Sequence, residues 1–219
     1  MDLDYSRIVP YLPLLKNGII MTIKFTFWST IFGFAWGVLL SLIKISTFKP
    51  LAWFGKAYTS FFRGTPLLVQ LMLIYFATPQ LTGYNISALQ AGVLAFGLNS
   101  AAYISESIRG GILSVDKGQR EAAMALGVPR LLIMKDIILP QAIKTILPSL
   151  VNESIALLKD SSMVAIIGVG DTLRWAQQVQ AKTFRAFEAF IVAALVYYVM
   201  VMVLTAVGSY LERRARVSD

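Results

Sequence analysis

Charged residues divide this chain into long apolar runs. Residues 25–43 carry no charge, and Gly18–Lys24 extends that run outward. Residues 64–105 hold 42 consecutive uncharged positions, too long for one membrane span and long enough for two. Thr82-Gly83-Tyr84-Asn85 is the natural turn inside that run. Residues 137–152 are uncharged apart from Lys144, and residues 189–211 are uncharged up to Glu212-Arg213-Arg214. A spanning helix needs about 20 mostly apolar residues, so the pattern predicts five: about 18–43, 58–80, 86–108, 141–160 and 187–211. Ser161–Gly170 is apolar but too short to span, which predicts a re-entrant or outer-surface segment. The first 17 residues hold Asp2 and Asp4 and no basic cluster before the apolar run, which reads as a retained anchor helix and not a cleaved signal.

Composition fits a membrane protein. Of 219 residues, 57% are hydrophobic and 15% charged, against about 25% charged in soluble domains. His and Cys are both absent, which excludes disulfides, thiol nucleophiles, Cys/His metal sites and a Ser-His-Asp triad. The formal charge of +8 is an orientation signal. Basic residues gather between the first two helices (Lys44, Lys49, Lys56, Arg63), between the third and fourth (Arg109 to Lys144) and in the tail. The positive-inside rule then puts the N-terminus outside and the C-terminus in the cytoplasm. That cytoplasmic side carries 13 basic and six acidic residues. Arg174, Lys182 and Arg185 fall on the outer side, in a longer loop where such charges are tolerated.

The least apolar stretch, Ser114 to Gln141, contains Gly118-Gln119-Arg120-Glu121-Ala122-Ala123-Met124-Ala125-Leu126-Gly127 and then Ile137-Ile138-Leu139-Pro140. It reads as two short helices. Ala122, Ala123, Ala125 and Leu126 favour helix, Gly127 suits a left-handed terminator, and Pro129 can open the next helix.

Glu-Ala-Ala, three residues, Gly, nine residues and Ile-x-Leu-Pro resembles the signature loop of ABC importer permeases. Arg63-Gly64-Thr65-Pro66-Leu67-Leu68-Val69-Gln70, Ala101-Ala102-Tyr103 with Glu106, Arg109-Gly110-Gly111-Ile112, and Leu158-Lys159-Asp160-Ser161-Ser162 look like its polar amino acid branch. The resemblance runs from about Gly18 to Arg214. It implies an all-α, polytopic type I ABC importer permease: residues 1–17 extracytoplasmic, 18–214 the transmembrane domain with a coupling loop at about 114–140, and 215–219 a cytoplasmic tail. It implies that Glu121, Ala122, Ala123 and Gly127 dock on a separate ATPase dimer, which would hold the ATP and Mg. A second permease subunit, identical or homologous, an extracytoplasmic substrate-binding protein, an amino acid substrate and membrane lipid are the other implied partners. The location implied is the bacterial inner membrane. In keeping with this, no Gly-x-x-x-x-Gly-Lys-Ser/Thr phosphate loop occurs. No fused capture domain is expected ahead of the first helix, this chain is expected to bind no cofactor or nucleic acid, and no catalytic role is expected of it.

An ionisable residue at membrane depth costs at least ~2.5–3.5 kcal/mol and is a functional-site candidate. Glu153 lies 12 residues past Gln141, about 18 Å along a helix. Asp160 follows nearly two turns later on the same face, about 10 Å away. Two such acids match a cationic amino acid (arginine, lysine or histidine) through charge-assisted hydrogen bonds, and glutamine remains an alternative. Asn152 offers neutral hydrogen bonds. Asn99 and Tyr103 share a face of the third helix, as lining residues or as helix–helix glue. Glu106 and Arg109 are spaced for a local pair. Pro148 favours a kink near the midplane, and Gly33 with Gly37 permits close helix contact. Two other readings are an ion-coupled carrier or cation channel using Glu153 and Asp160, and a membrane enzyme using Asp160 with Asp171.

Overall fold

A computed structural model describes residues 4–216; the first three residues of the 1–17 segment and the last three of the 215–219 tail lie outside the described residues. Two 3-10 turns, Tyr5–Arg7 and Val9–Tyr11, lead into α1 (Leu12–Ile45). The chain continues through α2 (Lys49–Gly64), α3 (Leu67–Thr82), α4 (Ala88–Ser114), α5 (Lys117–Ala125) and a single turn α6 (Arg130–Leu132). A π-helical segment, Ile133–Ile138, feeds α7 (Leu139–Asp160), and a 3-10 segment, Ser161–Ile167, precedes α8 (Thr172–Thr183) and α9 (Ala186–Arg216). Among the described residues there is no strand.

Small residues decide how the longest helices meet. α1 buries Thr22, Thr26, Ser29, Gly33, Gly37 and Ser41, three or four apart and therefore one stripe. A Cβ on Gly33 would lie 3.0 Å from Ser100 Cβ, and one on Gly37 would lie 2.8 Å from Ile104 Cβ. The Gly33/Gly37 pair therefore does bring the backbones of α1 and α4 together, as small-x-x-x-small stripes do in membranes. Above this seam Phe25 and Phe96 meet edge to face at 4.9 Å. Leu71, Ala95, Leu157, Val164, Ile167 and Val169 complete that core. The Ser161–Gly170 segment is thus not an outer-surface strip. It folds back into the bundle, and Gly168 ends its 3-10 turns at φ +88°.

The expected helix over 58–80 is two helices. α2 starts at Lys49, and α2 and α3 meet at an angle of 105°. Pro66 lacks an N–H and pushes the preceding residue out of the helical region; Thr65 accordingly sits at φ −120°, ψ 146°. The other four expected helices are present with shifted ends, α1 beginning six residues early and α4 running on to Ser114. Among the described residues, two helices are long and apolar enough to cross a membrane, over Tyr5–Ile45 and Ala186–Ala215, with α2–α3 a third only as a bent pair. The small and polar residues of α4 and α7 dilute their apolar character. The turn at 82–85 is where expected: Gly83 caps α3 at φ +72°, and a Ser87–Gln90 capping box opens α4. Pro148 leaves α7 an unbroken helix from Leu139 to Asp160.

The long connection between α7 and α9 also holds a helix that periodicity did not single out. α8 is capped by Asp171, whose carboxylate accepts from the backbone N–H groups of Leu173 and Arg174. Trp175, Ala176 and Val179 bury against Ile8, Leu15, Ala189 and Ala193, locking α8 to the N-terminal ends of α1 and α9.

Candidate functional site

Glu153 stands on the α7 face that also buries Ala142, Ile146 and Leu157. That face runs along α4. Near the C-terminal end of α4 a Cβ on Gly111 would lie 2.3 Å from Ile146 Cγ1. Further along, half-buried Glu153 faces the hydroxyl of Ser100. Ser100 Oγ is buried and outside strict hydrogen-bond geometry with any group. Asp160, at the end of α7, acts electrostatically on Glu153, with Lys159 as its own attractive neighbour. The two carboxylates thus share one region, as their spacing of seven predicts. Asn152 is exposed beside Glu153.

Asn99 and Tyr103 turn toward the α2–α3 bend. The amide nitrogen of Asn99 donates to Phe62 O (3.0 Å) and to Gln70 Oε1 (3.0 Å). Gln70, only 3% exposed, donates from Nε2 to Phe62 O (2.9 Å), Thr65 O (3.1 Å) and Thr65 Oγ1 (2.8 Å). One buried amide therefore satisfies the end of α2 where Pro66 interrupts the backbone ladder. Tyr103 is exposed, with the Arg63 guanidinium 5.3 Å above its ring. Sequence reading had placed Thr65 and Gln70 only within a family pattern; the available signal was Pro66 inside an uncharged run.

Toward the C-terminal end of α4, Glu106 binds Arg109 at 2.8 Å, the expected local pair. It also binds Lys44 of α1, whose side chain is buried under α2. A Cβ on Gly55 would lie 2.6 Å from Lys44 Cγ, so the glycine makes room for the lysine stem. Tyr58 adds a further tie, accepting from Trp36 Nε1 (2.9 Å) and donating to Leu98 O (2.8 Å).

The loop between α4 and α7 has its own small core of Ala123, Ile133 and Ile138. Asp116 caps α5, and Gly127 ends it at φ +74°, the left-handed geometry expected of it. Glu121, Ala122 and Gly127 lie on the surface, beside Leu126 at 83% exposure. Ala123 faces inward and anchors α5 to the π segment. The second expected short helix does not stand apart: one turn at α6 runs through the π segment into α7. Pro140 lies in the first turn of α7, and Leu139 N–H reaches back five residues to Met134 O.

Asp171 is fully buried and also accepts from the Tyr197 hydroxyl at 2.9 Å. Burial raises its carboxyl above the ordinary range, against the hydrogen bonds that favour the anion. Its carboxylate is committed to the first turn of α8 and to Tyr197, so Asp171 acts as a helix cap. Among the described residues no group of His, Cys, Asp and Glu is arranged to hold a metal ion.

Residues 33–217 match the family model described as binding-protein-dependent transport system inner membrane component. The arginine transport system permease protein ArtQ of Bacillus subtilis is 50% identical over 219 residues, covering 100% of both chains. A putative glutamine transport system permease protein GlnP of Rickettsia bellii is 48% identical over 209 residues, covering 95% of this chain and 96% of that one. The crystal structure of an amino acid ABC transporter with histidines superposes with a TM-score of 0.93 at 45% identity, covering 98% of this chain and 100% of that chain. Family match, full-length similarity and fold agree, and the chain belongs to the family of binding-protein-dependent transport system inner membrane components.

Proposed function

We propose that this chain is the permease subunit of an ATP-driven importer for a polar amino acid, with cationic amino acids as its substrates. The observation that carries the coupling half is α5: a capped nine-residue helix, anchored inward by Ala123, that presents Glu121, Ala122 and Gly127 outward. An exposed, rigidly based helix in the loop between two bundle helices is suited to dock in the groove of a partner. The partner in this reading is a separate ATPase dimer, which binds ATP and Mg and pushes the loop as it closes. The chain itself does no covalent chemistry.

The full arrangement in this reading has five membrane crossings, with the bent α2–α3 pair as the second. The N-terminus lies outside and the C-terminus in the cytoplasm of a bacterial inner membrane. The domain occupies residues 18–214, with its coupling loop at about 114–140. Two permease subunits pair to enclose a pathway, an extracytoplasmic binding protein delivers the amino acid, and the helices alternate in access. In this reading Glu153 and Asp160 are the cation-binding acids, and Asn152, Asn99 and Tyr103 are further substrate contacts. The names of the arginine and glutamine permease relatives support an amino acid cargo. The acids at membrane depth support the cationic choice. Uptake into vesicles reconstituted with the ATPase and binding protein tests it: ATP-dependent entry of labelled arginine, competed by lysine and histidine, is expected. Entry without ATP would favour an ion-coupled carrier and overturn this reading.

A further inference from the structure

We propose that the cleft between α1, α7 and α9 is a binding site for one acyl chain of a membrane phospholipid. α9 is pinned at two levels. At the first, the Tyr197 hydroxyl donates to Asp171 at 2.9 Å, and Thr22 of α1 meets Thr172 beside it at 3.0 Å. At the second, Gly208 lies so close to α7 that a Cβ there would stand 2.2 Å from Val151 Cγ1. Between these levels α9 stands off from its neighbours and leaves a cavity of 460 Å³. Its walls are α1 from Ile23 to Thr30, Ser154 and Leu158 of α7, and α9 from Val199 to Val207. Valines at 199, 203 and 207 recur one turn apart, so short β-branched side chains line the α9 wall and leave the gap open.

The chemistry of the lining selects an apolar occupant. Among the described residues no charged side chain borders the cavity, and its hydroxyls are those of Thr26, Thr30 and Ser154. Ser154 donates to Leu150 O at 2.9 Å, and Thr26 Oγ1 is buried out of reach. An ordered water needs about two to four polar partners, more than the remaining hydroxyl supplies. Phe27, Val199 and Val203 are each more than half exposed at the mouth, whereas Leu158 inside is 4% exposed. α9 is apolar enough to cross a membrane, and the chain belongs to a family of inner membrane components, so the mouth opens on hydrocarbon.

Width decides between a lipid chain and a helix of a second copy. From Val199 to Val207 the α9 wall rises about 12 Å. Spread over that length, 460 Å³ gives a cross-section of about 38 Å². A helix about 10 Å across needs about 79 Å². A methylene chain, its carbons in contact at about 4 Å, needs far less. A chain seated here fills the space behind α7 and touches Ser154, the residue next to Glu153. The inference goes beyond the importer reading and does not depend on the cargo.

The full-length chain in nanodiscs containing phosphatidylethanolamine with a diazirine midway along one acyl chain tests it. Photolabelling followed by mass spectrometry should place adducts on Ser154 and Leu158, which lipid gliding over the protein surface does not reach. Val203→Phe fills the cleft. It should reduce those two adducts about tenfold or more, the worth of losing two buried methylenes, while Leu195, exposed and outside the cleft, is labelled as before. In detergent, added phosphatidylethanolamine should raise the unfolding midpoint of the wild type and not that of Val203→Phe. Adducts confined to exposed residues in the wild type, with none on Leu158, overturn the proposal whether or not the variant folds. Labelling of Leu158 that disappears when two copies share a nanodisc gives the cleft to the second copy and overturns it as well.

Discussion

Lys44 and Glu106 form an ion pair between the C-terminal parts of α1 and α4, with the lysine side chain 3% exposed and the carboxylate 23%. Arg109 shares the same carboxylate from the solvent side. Removing the acid strands a buried ammonium. Glu106→Ala is expected to cost about 3 kcal/mol, the range for breaking one side of a buried pair. Replacing both partners (Lys44→Met with Glu106→Leu) should recover most of it. Thermal unfolding in detergent checks this, and equal losses in the single and double variants would place the stabilisation elsewhere.

The α1–α4 seam makes a second expectation. A methyl group on Gly37 meets Ile104 Cβ at 2.8 Å and Ala101 O at 3.2 Å, so Gly37→Ala must push the helices apart. Overpacking of this kind costs about 1–3 kcal/mol. Ile104→Ala in the same chain should restore part of the loss, and additivity of the two variants in unfolding measurements would deny that they meet.

In the loop proposed to couple to the ATPase, Glu121→Lys reverses a charge on the exposed face of α5. Membrane insertion should be unchanged and ATP-driven uptake abolished. Gly127→Ala tests the same loop through its backbone, because the left-handed conformation at φ +74° costs a residue with a Cβ about 1–2 kcal/mol. Uptake should fall in that variant, and its unfolding stability should drop by about that 1–2 kcal/mol. Full uptake in Glu121→Lys removes the docking role.

Asp171 predicts a pH dependence. Burial raises its folded-state carboxyl above the unfolded value, so the protonated protein is favoured. The stabilisation is complete below the ordinary carboxylate range and is lost as pH rises from there through the raised value. Asp171→Asn should flatten that part of the stability profile. Asp171→Ala should cost about 2 kcal/mol at neutral pH, because a helix cap goes and the Tyr197 hydroxyl loses its acceptor. Unfolding midpoints across pH 4–7 for the three proteins test both statements.

The helices came through in the sequence wherever one property dominated. Uncharged runs marked α1, α4, α7 and α9, and Glu-Ala-Ala with Gly127 marked α5. What escaped depends on contacts between distant segments. A basic residue at the end of an apolar run reads as an interface anchor, and only the packing of Gly55 over its stem reveals Lys44 as buried. Ser161–Gly170 reads from its length as either re-entrant or outer-surface, and only Val164 and Ile167 against Phe96 and Leu71 decide between the two. α8 had a legible start in Asp171 and an apolar spacing at Trp175, Ala176 and Val179, but its charges masked it. Asn99 was legible as polar at depth; its orientation became readable only with the carbonyls of the α2 terminus in view.

Glu153 gives the sharpest test of substrate choice. Its half-buried carboxylate faces the Ser100 hydroxyl on one side and answers to the Asp160 charge on the other. Two acids held at such a separation repel each other, and a cation between or beside them relieves that repulsion. A neutral side chain cannot. Glu153→Gln keeps the shape and removes the charge, so uptake of arginine and lysine should fall by tenfold or more, while glutamine, if carried at all, falls much less. The comparison must be made as ratios within one preparation, because a packing defect lowers all three alike. Equal losses would make Glu153 a structural residue of the α4–α7 contact and leave Asp160 as the remaining acid able to bind the cation.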